Sequence, residues 1–236
     1  MLAFIMFSTL AADYNFDYDK GRCVNWKGDE GYNSQVFGEC GNIEYLEPHW
    51  DFTQATLLGT RFFGVDVQGK VLVGTYAPYS QWFGCNLEGA DASVANFIDA
   101  SFHNSDLKGA NLAHGDLSGI SGSSTLFSGA DFQSSRVRAG RFMRSNFVMA
   151  NFNDAQLYLT EFLESDLRGA DFTHARLRGA DFSGSNLQGA IFIGADLSNA
   201  WYDRCTKLPF NKREARKKGM RSKERPPTRP CSESKF

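Results

Sequence analysis

The chain contains 236 residues, 42% of them hydrophobic and 14% aromatic, and carries a net charge of −2 at pH 7. This composition is typical of a globular protein and excludes an intrinsically disordered chain. The charge is unevenly distributed: residues 1–84 and residues 85–204 each carry −5, whereas residues 205–236 carry +8. A mildly acidic body therefore precedes a basic tail.

The first twelve residues, MLAFIMFSTLAA, resemble a secretory signal. An apolar run from Leu2 to Leu10 is followed by small residues, as in the core and cleavage site of such a signal. The run is too short to span a bilayer, so no membrane span is predicted. We therefore predict a signal peptide at residues 1–12 and an exported protein, periplasmic or extracellular. Because the usual basic residues before the apolar core are missing, a cytoplasmic protein with a buried N-terminal strand stays as the alternative.

Residues 13–51 are rich in Gly, Asn and aromatic residues, and we predict an irregular N-terminal cap there. The chain has five cysteines, none of them paired at the spacing of metal ligands, so no metal site is predicted. In an exported protein, Cys23 and Cys40 are candidates for a disulfide. In a reducing compartment both stay thiols.

From residue 52 onward the sequence has a period of five. The 31 positions from 52 to 202 at this spacing carry a large apolar residue in 28 cases. The exceptions are Ala77, Ala92 and Gly122. From residue 85 the position two places earlier is almost always Ala, Ser, Thr or Gly, and before residue 85 this second rule weakens. We therefore assign residues 52–84 to degenerate first coils and residues 85–204 to a regular repeat.

This period belongs neither to a helix, with 3.6 residues per turn, nor to a strand, with its two-residue alternation. A chain that turns a corner every five residues does have it, and four corners close a square coil of twenty residues that buries its apolar side by stacking. Aromatic residues recur at that spacing in two columns: Phe132, Phe152, Phe172 and Phe192, and Phe142, Phe162, Phe182 and Tyr202. The sequence therefore predicts an all-β solenoid with a filled interior.

At one point the small and the large site exchange character. Ile120 stands where a small residue is expected, and Gly122 stands where a large one is expected. Either the isoleucine fills volume that the glycine leaves empty, or the stretch SGISGSS forms a bulged corner.

The units CNLEG ADASV ANFID ASFHN SDLKG ANLAH and GADLSNA resemble the pentapeptide-repeat family, whose consensus is A(D/N)LxG. The resemblance implies a right-handed quadrilateral parallel β-helix, strongly for residues 85–204 and weakly for residues 52–84. Some members of this family mimic duplex DNA and protect or inhibit DNA gyrase, which makes a gyrase-interacting protein the alternative function. Such a mimic needs a continuous acidic face, and arginines interrupt the acidic residues here.

The segment after the repeat is predicted to cover the last coil. Asn211, with Glu214 three residues later, is typical of a helix N-terminus, and Gly219 stands where a helix ends. We therefore predict a capping helix within a C-terminal cap at residues 205–220. Residues 221–236 are predicted to form a disordered basic tail.

The sequence lacks a nucleophile elbow, a phosphate loop and a pair of carboxylates in a pocket, so we predict neither an enzyme nor a bound cofactor or small-molecule substrate. The outward positions of the coils instead predict a partner-binding surface. Its candidate residues are Arg136, Arg138, Tyr158, Arg176, Arg178, Met143 and Leu163. Apolar residues at the same level of the rod extend it: Val148, Met149 and Leu159. The alternative is that these apolar residues pack locally.

The expected partner is an unidentified protein or an anionic polymer, because four arginines can bind carboxylates, phosphates or sulfates. Nucleic acid is not expected, and the sequence leaves the oligomeric state open.

Overall fold

The computed structural model describes residues 52–223 in full, the backbone of three short strands before residue 52, and Cys231. The predicted signal peptide at residues 1–12 lies outside the described residues. So do Cys40, the side chain of Cys23, most of the segment predicted as an N-terminal cap, and most of the predicted tail.

The predicted fold is confirmed: residues 52–202 form a right-handed quadrilateral β-solenoid of about eight turns in all. Each coil pairs in parallel with the next at a separation of twenty residues, as in the pair Phe62↔Trp82 and the pair Phe142↔Phe162. The right hand is the one that parallel strand connections almost always adopt. The extended segments are β1 (Tyr14–Asp17), β2 (Arg22–Asn25), β3 (Asn42–Ile43), β4 (Arg61–Phe63), β5 (Gln81–Phe83), β6 (Ser101–His103), β7 (Ser121–Ser123), β8 (Arg141–Met143), β9 (Glu161–Leu163) and β10 (Trp201–Tyr202).

We name the four faces of the rod after the inward residues of one coil: the Phe152, Leu157, Phe162 and Leu167 faces. Strands β3 to β9 form one parallel sheet on the Phe162 face. On the other faces, neighbouring coils are joined by single parallel bridges, such as Gln156↔Arg176 on the Leu157 face. Strands β1 and β2 form a separate antiparallel pair.

The corners explain the glycines of the repeat. From Gln54 to Asn199, the residue two places after each inward core residue has a positive φ, for example 63° at Gly89. At most corners the turn is closed by a backbone hydrogen bond, as from the Ala90 N–H to the Leu87 carbonyl at 3.0 Å. This is the pattern of a type II turn, which favours glycine at its third residue.

The Asp or Asn before the large residue also has a structural reason. Its side-chain oxygen accepts a hydrogen bond from the backbone N–H two residues later, as Asp131 does from Gln133 at 2.9 Å and Asn151 from Asn153 at 3.0 Å. Aspartate and asparagine supply the same acceptor, so they are interchangeable here. Many of the acidic residues of the body are therefore parts of the corners.

The small inward position accepts serine or threonine in place of alanine because the hydroxyl is paired. Thr160 Oγ1 donates to the Val137 carbonyl at 2.6 Å, and Ser185 Oγ donates to the Phe182 carbonyl at 2.6 Å. Both residues are fully buried, and a buried hydroxyl without a partner would be destabilising.

The interior is filled by stacked rings, as predicted. Phe152 lies 4.8 Å from Phe132 and 5.0 Å from Phe172 between ring centroids, and both pairs are stacked nearly parallel. On the opposite, Phe162 face, the ring of Phe162 lies 5.5 Å from Phe142 and 5.6 Å from Phe182. Offset stacking of this kind stabilises the rod beyond the burial of the rings.

The exchange at Ile120 and Gly122 does not produce a bulge. Strand β7 pairs residue for residue with β8, with Gly122 opposite Phe142. Ile120 is fully buried, which fits the first alternative. The rings of Phe127 and Phe142 also close the gap, because a Cβ on Gly122 would lie 3.3 Å from each of them.

The C-terminal end is covered by the predicted capping helix, α1 (Lys212–Lys217), and by β11 (Arg221–Ser222), which pairs in parallel with β10. Asn211 is the N-cap and accepts a hydrogen bond from the Glu214 N–H at 3.0 Å. Strand β11 thus begins directly after residue 220, where the cap was predicted to end.

A disulfide joins Cys205 to Cys231, 26 residues apart. The sequence predicted a pairing only for Cys23 and Cys40, so this bridge corrects the cysteine assignment. Cys231 belongs to the segment predicted as a disordered tail, and the bridge fixes that position to the residues that follow the last coil.

Candidate protein-interaction face

The seven predicted partner-binding residues lie on two adjoining faces of the rod. Five are on the Leu157 face, and Met143 and Leu163 are on the Phe162 face, opposite each other in strands β8 and β9. The two faces meet at the corner that carries Leu159, whose side chain is 65% exposed. The structure therefore brings the predicted basic and apolar residues onto one continuous surface.

Val148 and Met149 do not belong to that surface. Val148 lies on the Leu167 face, and Met149 lies at the corner between that face and the Phe152 face. Both are on the opposite side of the rod from Arg136 and Arg138. Their prediction as part of one contact surface was wrong, because residues at one level of the rod are distributed around all four faces. The twenty-residue period already assigns Val148 and Met149 to a different face from the arginines, so the sequence could have excluded them.

We call Arg136, Arg138, Arg176 and Arg178 the arginine patch. Gln156 lies between Arg136 and Arg176 in the stack of bridges. A guanidinium nitrogen of Arg138 donates to the Gln156 side-chain oxygen at 2.5 Å, and the guanidinium lies 5.5 Å from the ring centroid of Tyr158. Tyr158 is therefore held in the middle of the patch by a cation–π contact.

Carboxylates bound the patch at both ends. Arg136 pairs with Asp116 at 3.6 Å between nitrogen and oxygen. At the other end, hydrogen bonds from the side chain and backbone of Ser198, and the positive charge of Arg178, lower the pKa of Asp196. Arg176 makes no ion pair or side-chain hydrogen bond with any residue in the described part of the chain. The patch keeps an excess of positive charge.

A shallow cavity of about 310 Å³ opens at the corner beside the patch. It is lined by Tyr158, Leu159, Arg178, Gly179 and Asn199. Sequence reasoning missed Gly179 and Asn199 because both look like ordinary corner residues. Their part in a cavity depends on how the Leu159 side chain leans across the corner.

The remaining reactive groups offer little for catalysis. Cys85 is the free cysteine of the described residues, and burial raises the pKa of its thiol to about 11, which keeps it protonated at neutral pH. Within residues 52–223, no three His, Cys, Asp or Glu side chains come together as metal ligands. No helix in the described part of the chain is long and apolar enough to cross a membrane.

A parallel rod with a filled interior and flat outer faces defines the chain as a β-solenoid repeat protein. Residues 83–112, 105–142 and 165–200 match the family model for pentapeptide repeats, in eight copies. This match confirms the predicted resemblance to pentapeptide-repeat proteins over those residues.

Solved structures with the same fold include QnrB1, described as a plasmid-mediated fluoroquinolone resistance protein. A trypsin-treated variant has a TM-score of 0.55 and 24% identity, covering 76% of this chain and 87% of that one. Full-length QnrB1 has a TM-score of 0.51 and 23% identity, covering 77% and 90%. HetL, from the cyanobacterium Nostoc sp. strain PCC 7120, has a TM-score of 0.37 and 22% identity, covering 72% and 82%. At this identity, the likeness to QnrB1 shows the fold alone. No curated protein sequence gives a significant match.

Proposed function

We propose that this protein is a non-enzymatic interaction module that presents the Leu157 and Phe162 faces to a partner protein or an anionic polymer. The observation that carries the proposal is the arginine patch beside exposed apolar side chains on two flat, adjoining faces. Because each outward residue is fixed by the stacking of its coil, the surface needs little ordering on binding, which favours affinity.

The filled interior supports a binding role over catalysis. Catalytic and small-molecule sites usually lie in concave pockets that surround most of the ligand. The stacked rings of Phe132, Phe152 and Phe172 leave no such space along the axis, and the cavity at the Leu159 corner is open to solvent.

The charge pattern favours this role over the alternative of a gyrase-interacting DNA mimic. Duplex DNA presents an unbroken series of negative charges. On the Leu157 face, the arginine patch separates Asp116 from Asp196. On the Phe152 face, aspartates alternate with neutral asparagines along the rod: Asp91, Asn111, Asp131, Asn151 and Asp171. We expect no effect of this protein in a gyrase supercoiling assay, and clear inhibition there would revive the alternative.

Replacing all four residues of the arginine patch with Ser tests the proposal. Folding should be unchanged, since these side chains are exposed, while the partners captured by the wild-type protein should be lost. A matched variant removes four positive charges elsewhere: Lys108, Arg168, Arg213 and Arg216 to Ser. If the patch variant retains the same partners as the wild type, the patch is not the binding surface.

We further propose that the protein is exported and that Cys23 and Cys40 are then bonded. The apolar run followed by small residues at residues 1–12 supports export. Mass spectrometry of the mature N-terminus tests it: cleavage near Ala12 is expected, and an intact N-terminus on the protein in the cytoplasmic fraction contradicts it.

A further inference from the structure

We propose that the cavity at the Leu159 corner receives an apolar side chain from an acidic peptide segment, whose carboxylates pair with the arginine patch. This inference rests on the proposed function and narrows its partner from a protein or anionic polymer to an acidic segment of protein. The residues of the proposed binding site are Tyr158, Leu159, Arg176, Arg178 and Asn199.

The cavity depends on one corner of the rod. Leu159 has a φ of 57° and leans over Gly179 on the next coil. A Cβ built on Gly179 would lie 2.7 Å from Leu159 Cδ2, so any other residue there would displace the leucine side chain from this position. The leucine forms one apolar wall and the ring of Tyr158 forms another. The lining is thus mostly apolar and accepts an apolar side chain.

The size and openness of the cavity favour a side chain over a free small molecule. At about 310 Å³ it is at the lower end of the range for ligand pockets, and it is open on one side. A small molecule there would leave much of its surface in water. A side chain that projects from a longer partner needs only this depth, because the rest of the partner lies on the flat face.

The charges beside the cavity select the flanking residues of that partner. Arg178 lines the cavity, and Arg176 lies on the same coil without an ion pair among the described residues. A guanidinium binds a carboxylate through two parallel hydrogen bonds, which gives direction as well as attraction. Carboxylates on both sides of the inserted side chain therefore match the site.

The apolar wall argues against an anionic polymer. A sulfated or phosphorylated polymer could pair with the arginines but has no apolar side chain for the cavity. Its binding would leave the apolar side chain of Leu159, which is 65% exposed, in contact with water.

Fluorescence polarisation with a labelled nine-residue peptide tests the inference. The probe has one central Phe and Glu at all remaining positions. One comparison peptide replaces the Phe with Ser, and the other replaces all Glu with Lys. We expect the Phe–Glu probe to bind at least tenfold more tightly than either comparison peptide. Heparin, as the anionic polymer, should compete only weakly.

Leu159→Gly separates binding from folding. The change removes the apolar wall but relieves a left-handed conformation, so it should weaken probe binding about tenfold while the melting temperature rises or stays the same. Met149→Gly is the matched control, because Met149 has a φ of 60°, is 68% exposed and lies on the far side of the rod. Arg178→Ser should also weaken binding, and Arg168→Ser, on the Leu167 face, should not.

Two results would overturn the inference. One is equal binding of the Phe and Ser peptides; the other is unchanged binding by Leu159→Gly together with strong competition by heparin. Either result leaves the proposed function standing if the four-arginine variant still loses its captured partners. Retention of those partners by that variant removes the proposed function as well.

Discussion

Each corner of the rod places one residue in a left-handed backbone conformation, whatever its side chain. Glycine occupies nearly half of these positions, but sixteen other residues in the described part of the chain have a positive φ, among them Val94 at 52° and Leu159 at 57°. An L-residue there costs about 1–2 kcal/mol relative to the right-handed form. The neighbouring coils therefore impose a conformation that the local sequence disfavours.

We expect Val94→Gly to raise the melting temperature by about 2–4 °C, the shift that about 1 kcal/mol produces in a domain of this size. Val94 is β-branched and 55% exposed, so the change removes strain and little packing. Gly89→Ala is the opposite test. A Cβ there meets nothing within 4 Å, so any loss of stability comes from the backbone alone. Thermal unfolding followed by circular dichroism measures both, and a stabilised Gly89→Ala would contradict the account of the corners.

The carboxylate of Asp196 makes the last coils sensitive to acid. Hydrogen bonds from Ser198 and the charge of Arg178 lower its pKa in the folded protein below the unfolded value. The folded state therefore gains stability above the unfolded pKa and loses it as the pH falls through the lower, folded value.

Asp196→Asn tests this coupling. The amide still accepts the Ser198 N–H but does not titrate, so the variant should be less stable than the wild type near pH 7. The two should converge as the pH is lowered from about 6 to about 2.5. Melting temperatures across that range measure the effect, and a difference that stays constant with pH would show that Asp196 is not the group responsible.

The ring columns are the elements on which the rod depends. Phe152 is fully buried and stacked on both sides, so Phe152→Ala should cost about 3–5 kcal/mol through the cavity it creates. Phe152→Leu should cost less than half as much, because Leu112 occupies the equivalent position in the same column. Urea unfolding of both variants checks the order, and equal losses would mean that stacking, not volume, decides stability at this site.

The end of the rod is held by packing and by a covalent bridge. Phe210 contacts Phe192 edge to face, and Lys223 pairs with Asp181 and lies 5.4 Å from the Trp201 ring. The disulfide between Cys205 and Cys231 closes a loop of 26 residues, which in the chain-entropy model stabilises by roughly 3 kcal/mol.

We expect Cys231→Ser to destabilise the C-terminal cap more than the middle coils, since the loop includes α1 and β11 but no complete coil. Hydrogen exchange of the amides of Trp201 and Arg221 should become faster, while that of Phe152 stays slow. Uniformly faster exchange would mean that the bridge stabilises the rod as a single cooperative unit.

As a whole, the molecule is a stack whose open ends would expose unpaired strand edges. Ala215 of α1 and Met220 are buried at the C-terminal end and close it. A chain that ends at Phe210 lacks both and should self-associate with rising concentration, as measured by light scattering after size-exclusion chromatography. A chain that ends at Lys223 retains α1 and β11 but loses the disulfide. It should therefore keep the oligomeric state of the full-length protein. Association of both chains would assign the protection to the bridge instead of the helix.

The fold of the rod could be predicted because its signal is local and repeated. A large apolar residue every five positions, with a small one two places before it, is satisfied by a chain that turns every five residues and stacks every twenty. The columns of Phe132 and Phe142 could be assigned for the same reason, and so could the helix start at Asn211. The arginine patch followed from the same period.

Other features required the tertiary structure, because they depend on contacts between residues that no period relates. The cavity exists because Leu159 leans across a corner onto Gly179. The partner of Cys205 is set by where the chain returns after α1, and Gly122 is accommodated by the rings of Phe127 and Phe142. The sequence by itself determined the coil, since every apolar residue in a repeat must be buried by its neighbours. Only the folded structure decided which side chains meet at the corners and ends, where the repeat no longer specifies the packing.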